Sequence, residues 1–212
     1  MGDKADERIA IDFIDPLFAV ALAANFTSLS AEPWFNCPTM IFTRENLFHV
    51  ASLFLAYLTV ILSWIGYHKS IRKKGIDVNH WAGEVRFFLD VLILIFYFIL
   101  LEGYNDFGRE LWVLVAIYVL FIFWDQMKRL EGAQEGKDSG SAARRGVTVV
   151  WFIVFLSVAL LNLLSPTSKP YSCQDWLLWL VAIAGTFAYR KHKKSLWGKR
   201  MLLVLGCPRG NV

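Results

Sequence analysis

Charge is what this sequence has least of. Of its 212 residues only 19% are Asp, Glu, Lys or Arg, below the roughly 25% of soluble domains, and that shortage argues against a soluble globular protein. Enzyme motifs are missing too. There is no Gly-x-Ser-x-Gly, no His-Glu-x-x-His and no Gly-x-x-x-x-Gly-Lys, so no nucleophile set or phosphate loop is visible and no enzyme is implied. His49, His68, His80 and His192 are scattered over two ends of one apolar stretch, a loop and the tail; a metal or haem site needs ligands at one depth, so neither metal nor cofactor is implied. The formal balance of +4 would suggest a nucleic-acid partner in a soluble chain. In an apolar chain basic residues report topology instead, and nucleic acid drops out.

What is abundant is apolar surface: 56% of the residues are hydrophobic and 16% aromatic. Six apolar stretches of 17 to 21 residues stand out, at Phe13 to Leu29, Leu47 to Tyr67, Val85 to Leu101, Leu111 to Met127, Val147 to Leu164 and Tyr171 to Tyr189. Each is near the length a helix needs to cross about 30 Å of hydrocarbon. The expected fold is therefore all-α, a polytopic membrane protein with six transmembrane helices in a cell inner (plasma) membrane. With the N-terminus inside, 19 of the 22 Lys and Arg fall in or at the edge of inner segments, and only Arg44, Arg109 and Lys169 fall in outer loops. That asymmetry places both termini in the cytoplasm.

The N-terminus could mimic a cleavable leader, with Ala21, Ala23 and Ala24 as a small-residue site. Its flank mixes Asp3, Asp6 and Glu7 with Lys4 and Arg8, and Asp12 and Asp15 follow. A leader starts net positive, so this segment is expected to remain in the mature fold. The organisation read from composition is a front of four helices (1–127, with 13–29 as candidate pore helix), a linker rich in Gly, Ser and charge (128–146), two further helices (147–189) and a basic tail (190–212). The tail run of Arg190, Lys191, Lys193, Lys194, Lys199 and Arg200 could bind anionic lipid or simply anchor the topology. Cys37 and Cys173 fall in outer loops and Cys207 inside, which makes a Cys37–Cys173 disulfide possible in an oxidising compartment.

Depth sorts the remaining polar residues. Asp15, His68 and Asp90 should meet one layer near the cytoplasmic side, with Arg8 or Arg86 as a cation near by. They form a hydrogen-bonded cluster there, or each snorkels separately to the headgroups. Further along the first stretch, Val20, Ala24 and Thr27 share one helical stripe at i, i+4 and i+7, with Ala19, Ala21 and Ala23 around it. Such a stripe lines a narrow path or packs against a neighbouring helix. Asn162 and Thr186 are expected to make hydrogen bonds between helices.

Phe13-Ile14-Asp15-Pro16-Leu17-Phe18-Ala19-Val20-Ala21 is similar to the opening helix of the prokaryotic relatives of the endolysosomal potassium channel, which carry Arg-x-x-x-Phe-Ser-Asp followed by Gly-Val-Phe-Ala-Ile-Ala. Leu55-Ala56-Tyr57-Leu58 through Trp64 to His68 resembles that family's second helix, and Asp90 stands where its third tends to carry Asn. The likeness covers roughly residues 8 to 100. Ile14 replaces the family's Ser, Pro16 its Gly, and Arg8 lies five residues before Phe13 instead of four.

The resemblance implies a homotetramer whose first helices surround a central pore for potassium. By position, Val20 would form the main apolar constriction, with Ala24 and Thr27 beyond it. No Thr-Val-Gly-Tyr-Gly filter and no Arg-rich sensor occur, so selection would come from constriction and hydration. Two other readings stand beside this one. One is a non-conducting membrane scaffold that binds a cytoplasmic partner through Lys69 to Glu84 and Lys128 to Gly146. The other is a proton-coupled transporter using Asp15 and Asp90.

Overall fold

The computed structural model describes residues 3–36, 41–71, 81–134, 141–164 and 172–194, with α1 side chains from Ile14 onward. Among them there is no strand. The elements in order are α1 (Asp3–Ser30), the single turn α2 (Pro33–Asn36), α3 (Arg44–Ile71), α4 (Trp81–Glu102), α5 (Phe107–Gln134), α6 (Ser141–Leu164) and α7 (Cys173–Lys194).

Among the described residues three helices are long and apolar enough to cross a membrane: Arg44–His68, Phe107–Leu130 and Arg145–Leu164. In α1 the comparable apolar stretch is shorter, Ile14–Ser30. The helix α4 is interrupted by Arg86 and Asp90, and α7 opens on Gln174 and Asp175 and closes on four basic residues.

Three of these helices begin at one end of the bundle, and each start is capped by its own sequence. Thr43 Oγ1 accepts from Asn46 N at 3.2 Å, and Asp106 Oδ1 accepts from Arg109 N at 3.0 Å. Ser172 and Asp175 form a reciprocal box, with Asp175 Oδ2 accepting from Ser172 N at 2.7 Å and Ser172 Oγ from Asp175 N at 3.3 Å. These contacts satisfy helix N–H groups that have no partner within the helix. This is called the capped end below, and the opposite one the charged end.

A single core joins all six long helices, with Ile14, Leu55, Tyr97, Leu114, Phe155 and Leu178 each contributed by a different one. The last two helices are thus part of the same body as the first four. Close contact between α6 and α7 depends on Gly185: a Cβ there would lie 3.2 Å from the Phe155 ring and 3.3 Å from that of Trp151. Helix also occupies much of the expected linker, since α5 continues to Gln134 and α6 starts at Ser141. Arg145 Nη1 donates to Gln126 Oε1 at 2.5 Å, and Lys128 lies 4.9 Å from the Trp124 ring, so side chains on both sides of the junction are held.

Candidate functional site

Two features compete for attention, a polar belt at the charged end and the open face of α1. The belt starts at Asp15. His68 Nε2 lies 2.8 Å from its Oδ1, and Trp64 Nε1 donates to the same oxygen at 3.2 Å. Trp64 and His68 are four residues apart on α3 and so share a face, their rings meeting edge-on at 4.9 Å. Asp90 belongs to a neighbouring group: Trp124 Nε1 donates to its Oδ1 at 2.8 Å, and the fully buried Arg86 guanidinium sits 5.0 Å from the Trp124 ring. Tyr67 stands between the groups, within electrostatic reach of Asp90, Arg86 and Asp15. The expected layer of Asp15, His68 and Asp90 is therefore built as two linked clusters. Arg86 is on α4 beside Asp90; the side chain of Arg8 lies outside the described residues.

Sequence reasoning missed the next part of the belt. Asp125, 4% exposed, accepts from Thr148 Oγ1 at 2.6 Å and from Lys193 Nζ at 3.1 Å, tying α5 to α6 and α7. Lys193 also donates to Tyr189 OH at 2.6 Å and lies over the rings of Phe121, Trp124 and Tyr189. Burial by itself pushes the Lys193 ammonium down, and the Asp125 carboxylate together with Tyr189 reverses this, for a net upward shift. Arg190 Nη2 donates to Ser63 Oγ, and a Cβ on Gly66 would collide with the guanidinium. Two cations of the tail run, Lys193 and Arg190, thus bond to groups on other helices. Residues 195–212, including Lys199, Arg200 and Cys207, lie outside the described residues. The signal for Asp125 was available: a carboxylate four residues before Arg129 and inside an apolar run needs a partner.

At the capped end the contacts are mostly neutral. Asn25 is fully buried; its Nδ2 donates to Leu101 O at 2.8 Å and its Oδ1 accepts from Tyr57 OH at 2.9 Å. A polar residue that a lipid-facing helix would not favour is thus used between helices. Tyr104 OH donates to Glu32 Oε1 at 3.0 Å; burial first, and then that bond, push its hydroxyl up to about 12. Thr186 bonds to its own helix, Oγ1 donating to Ala182 O at 3.0 Å, where a bond between helices was expected. Buried within the bundle, it satisfies its hydroxyl on the carbonyl four residues back. Asn162 lies beside Gly108 of α5. Cys173 is exposed, while Cys37 lies outside the described residues, and so does the expected pairing.

The other feature is α1. Ile14, Phe18, Ala21, Asn25 and Leu29 face inward against α3 and α4. The opposite face, with Pro16, Ala19, Val20, Ala23 and Thr27, is exposed, Val20 by 62%. Ala24 is half-buried, so the open stripe runs Val20, Ala23, Thr27. The Thr27 hydroxyl donates to Ala23 O at 2.9 Å. Pro16 offers no N–H, so the helix ladder lacks one bond where Asp15 meets His68. No three His, Cys, Asp or Glu side chains converge on a metal-sized site among the described residues.

Compared with protein-family models, curated proteins and solved structures, the chain matches none.

Proposed function

We propose that the chain is one protomer of a multi-pass homo-oligomer of the inner (plasma) membrane, a homotetramer in which α1 lines a central path for a monovalent cation, potassium, closed by an apolar constriction at Val20. In this reading all six long helices span and both termini are cytoplasmic. The charged end then lies on the side where the basic residues accumulate.

One observation carries the proposal: the open face of α1 differs from the other open faces. Elsewhere the outward side chains are large and apolar, such as Phe54 on α3, Phe88 and Phe98 on α4, Phe123 on α5 and Leu164 on α6. Those suit acyl chains. On α1 the outward residues are Pro, Ala, Val and Thr, with Phe26 the large exception, its ring edge-on to Phe35 at 5.8 Å. Small side chains leave little to gain from lipid and allow helices to approach closely or to border a narrow path. The Asp15–Trp64–His68 contact brings together residues on which the resemblance was drawn, and fixes the rotation of α1 that leaves Val20 open.

Flux through liposomes holding the purified oligomer tests the reading. Val20→Ala should widen the constriction and raise potassium leak severalfold over wild type. If neither protein conducts, the channel reading fails. Ile14 favours the second reading, a non-conducting scaffold. The family carries Ser at this position, whereas here the side chain is apolar and 1% exposed. A soluble partner recovered in fixed stoichiometry together with a sealed central axis would select the scaffold.

A further inference from the structure

Glu110 lies in the first turn of α5 with no exposed surface, and neither carboxyl oxygen has a hydrogen-bond partner. Among the described residues the other buried carboxylates each have one: Asp90 has Trp124, and Asp125 has Thr148 and Lys193. Ser52 of α3, itself fully buried, is the polar side chain beside Glu110, and its hydroxyl too lacks a hydrogen bond of good geometry.

We propose that Glu110 is a proton-binding site built into the capped end: its carboxyl keeps a proton while the seam between α3 and α5 is closed and releases it to water only when that seam opens. An ionised carboxylate without donors or a counter-charge is among the most unfavourable groups to bury, and the neutral acid is far less so. The start of α5 favours negative charge, but a helix terminus offsets only a small part of that desolvation.

The surrounding charges do not change the balance. The α3 groups at this end are Arg44, Glu45 and His49, and α4 brings Glu102. Asp106 and Arg109 flank Glu110 on its own helix, and Asp175 comes from α7. The described part of α6 at this end carries Asn162 and no charge. None of these couples to Glu110; Ser52 alone does. A bound metal ion would require ligands at the carboxyl, and only one hydroxyl is present, whereas a proton needs no cavity. The proposal does not rest on the pore reading, because it uses no residue of α1.

Proton linkage gives the test a sign. A site that holds its proton in the folded state and loses it in the unfolded state makes stability fall as pH rises above the ordinary glutamate value. Glu110→Gln replaces the neutral acid by a neutral amide of the same shape. Reversible unfolding in mixed micelles should give equal unfolding constants for wild type and Glu110→Gln near pH 4. The wild-type constant should then rise relative to the variant by up to tenfold per pH unit. A ratio that stays flat with pH overturns the proposal. Infrared spectra of wild-type protein with carbon-13 in the glutamate carboxyls supply a measurement that needs no variant. A protonated-glutamate carbonyl band should persist at pH 8, where exposed glutamates are ionised, and its absence would equally overturn the proposal.

Discussion

The two ends of the bundle handle buried polarity in opposite ways. At the charged end, carboxylates enter the interior in company: Asp90 with Trp124 and Arg86 near by, Asp125 with Thr148 and Lys193, and Asp15 with Trp64 and His68. At the capped end, neutral contacts such as those of Asn25, and the Tyr104–Glu32 bond, stand beside buried groups without a hydrogen bond, Glu110 and Ser52. The contrast follows from composition. Basic residues gather at the charged end, so carboxylates there find partners close by. The described residues of the capped end hold fewer cations, Arg44 and Arg109, and neither pairs with Glu110.

Breaking a pair at the charged end should have the largest effect. Asp125→Ala leaves Lys193 among aromatic rings with its side chain only 18% exposed, and should destabilise the fold by about 3 kcal/mol. The double variant Asp125→Leu with Lys193→Met removes both charges and should recover most of that loss, since an ion pair and an apolar pair of similar volume are often nearly equivalent. Chemical unfolding in mixed micelles measures both. If the single variant loses less than about 1 kcal/mol, the charged end does not depend on pairing and the contrast disappears.

A smaller effect is expected at the other end. Asn25→Ala removes two bonds at once, to Leu101 O and from Tyr57, and leaves the Tyr57 hydroxyl to find water or nothing. A loss of about 2 kcal/mol is expected, independent of pH between 5 and 8, because no charged group takes part. A loss that varies over that range would show that neutral and charged contacts are mixed at this end after all. In the same assay Tyr104→Phe should remove a contribution that is present below the ordinary tyrosine value near 10 and vanishes as pH rises through about 12.

Much of this was legible in the sequence. Apolar runs gave the helices, because a helix must cover its backbone and an uninterrupted apolar face can be covered only by lipid or by other helices. Asp15 and His68 were paired by depth alone, since each lies a few residues inside the same end of an antiparallel pair. Asp125, Thr148, Lys193 and Glu110 were not found. Their partners sit on helices distant in sequence, and which helix faces which depends on rotations that hydropathy does not encode. The linker expected at 128–146 was read from Gly, Ser and charge, whereas α5 extends into it as far as Gln134, with Lys128 over the Trp124 ring. Composition reports what a segment can do in isolation, and Trp124 is not in that segment.

The weakest pair at the charged end sharpens the comparison further. Asp15 and His68 are 34% and 20% exposed in the protomer, so a double-mutant cycle with Asp15→Asn and His68→Gln should give a coupling below about 1 kcal/mol when the protein is dispersed as single protomers. In the assembled state the result depends on what covers α1. Copies of the chain packed around that helix would take Asp15 out of water, and the coupling should then rise above 1 kcal/mol, because a pair shielded from solvent interacts more strongly. Lipid at the headgroup level would leave it wet and weak. The same cycle, performed in detergent that dissociates the protein and in bilayers that do not, therefore asks whether the open face of α1 meets other protomers. Equal couplings in both would place α1 at the rim and remove the observation on which the central path stands.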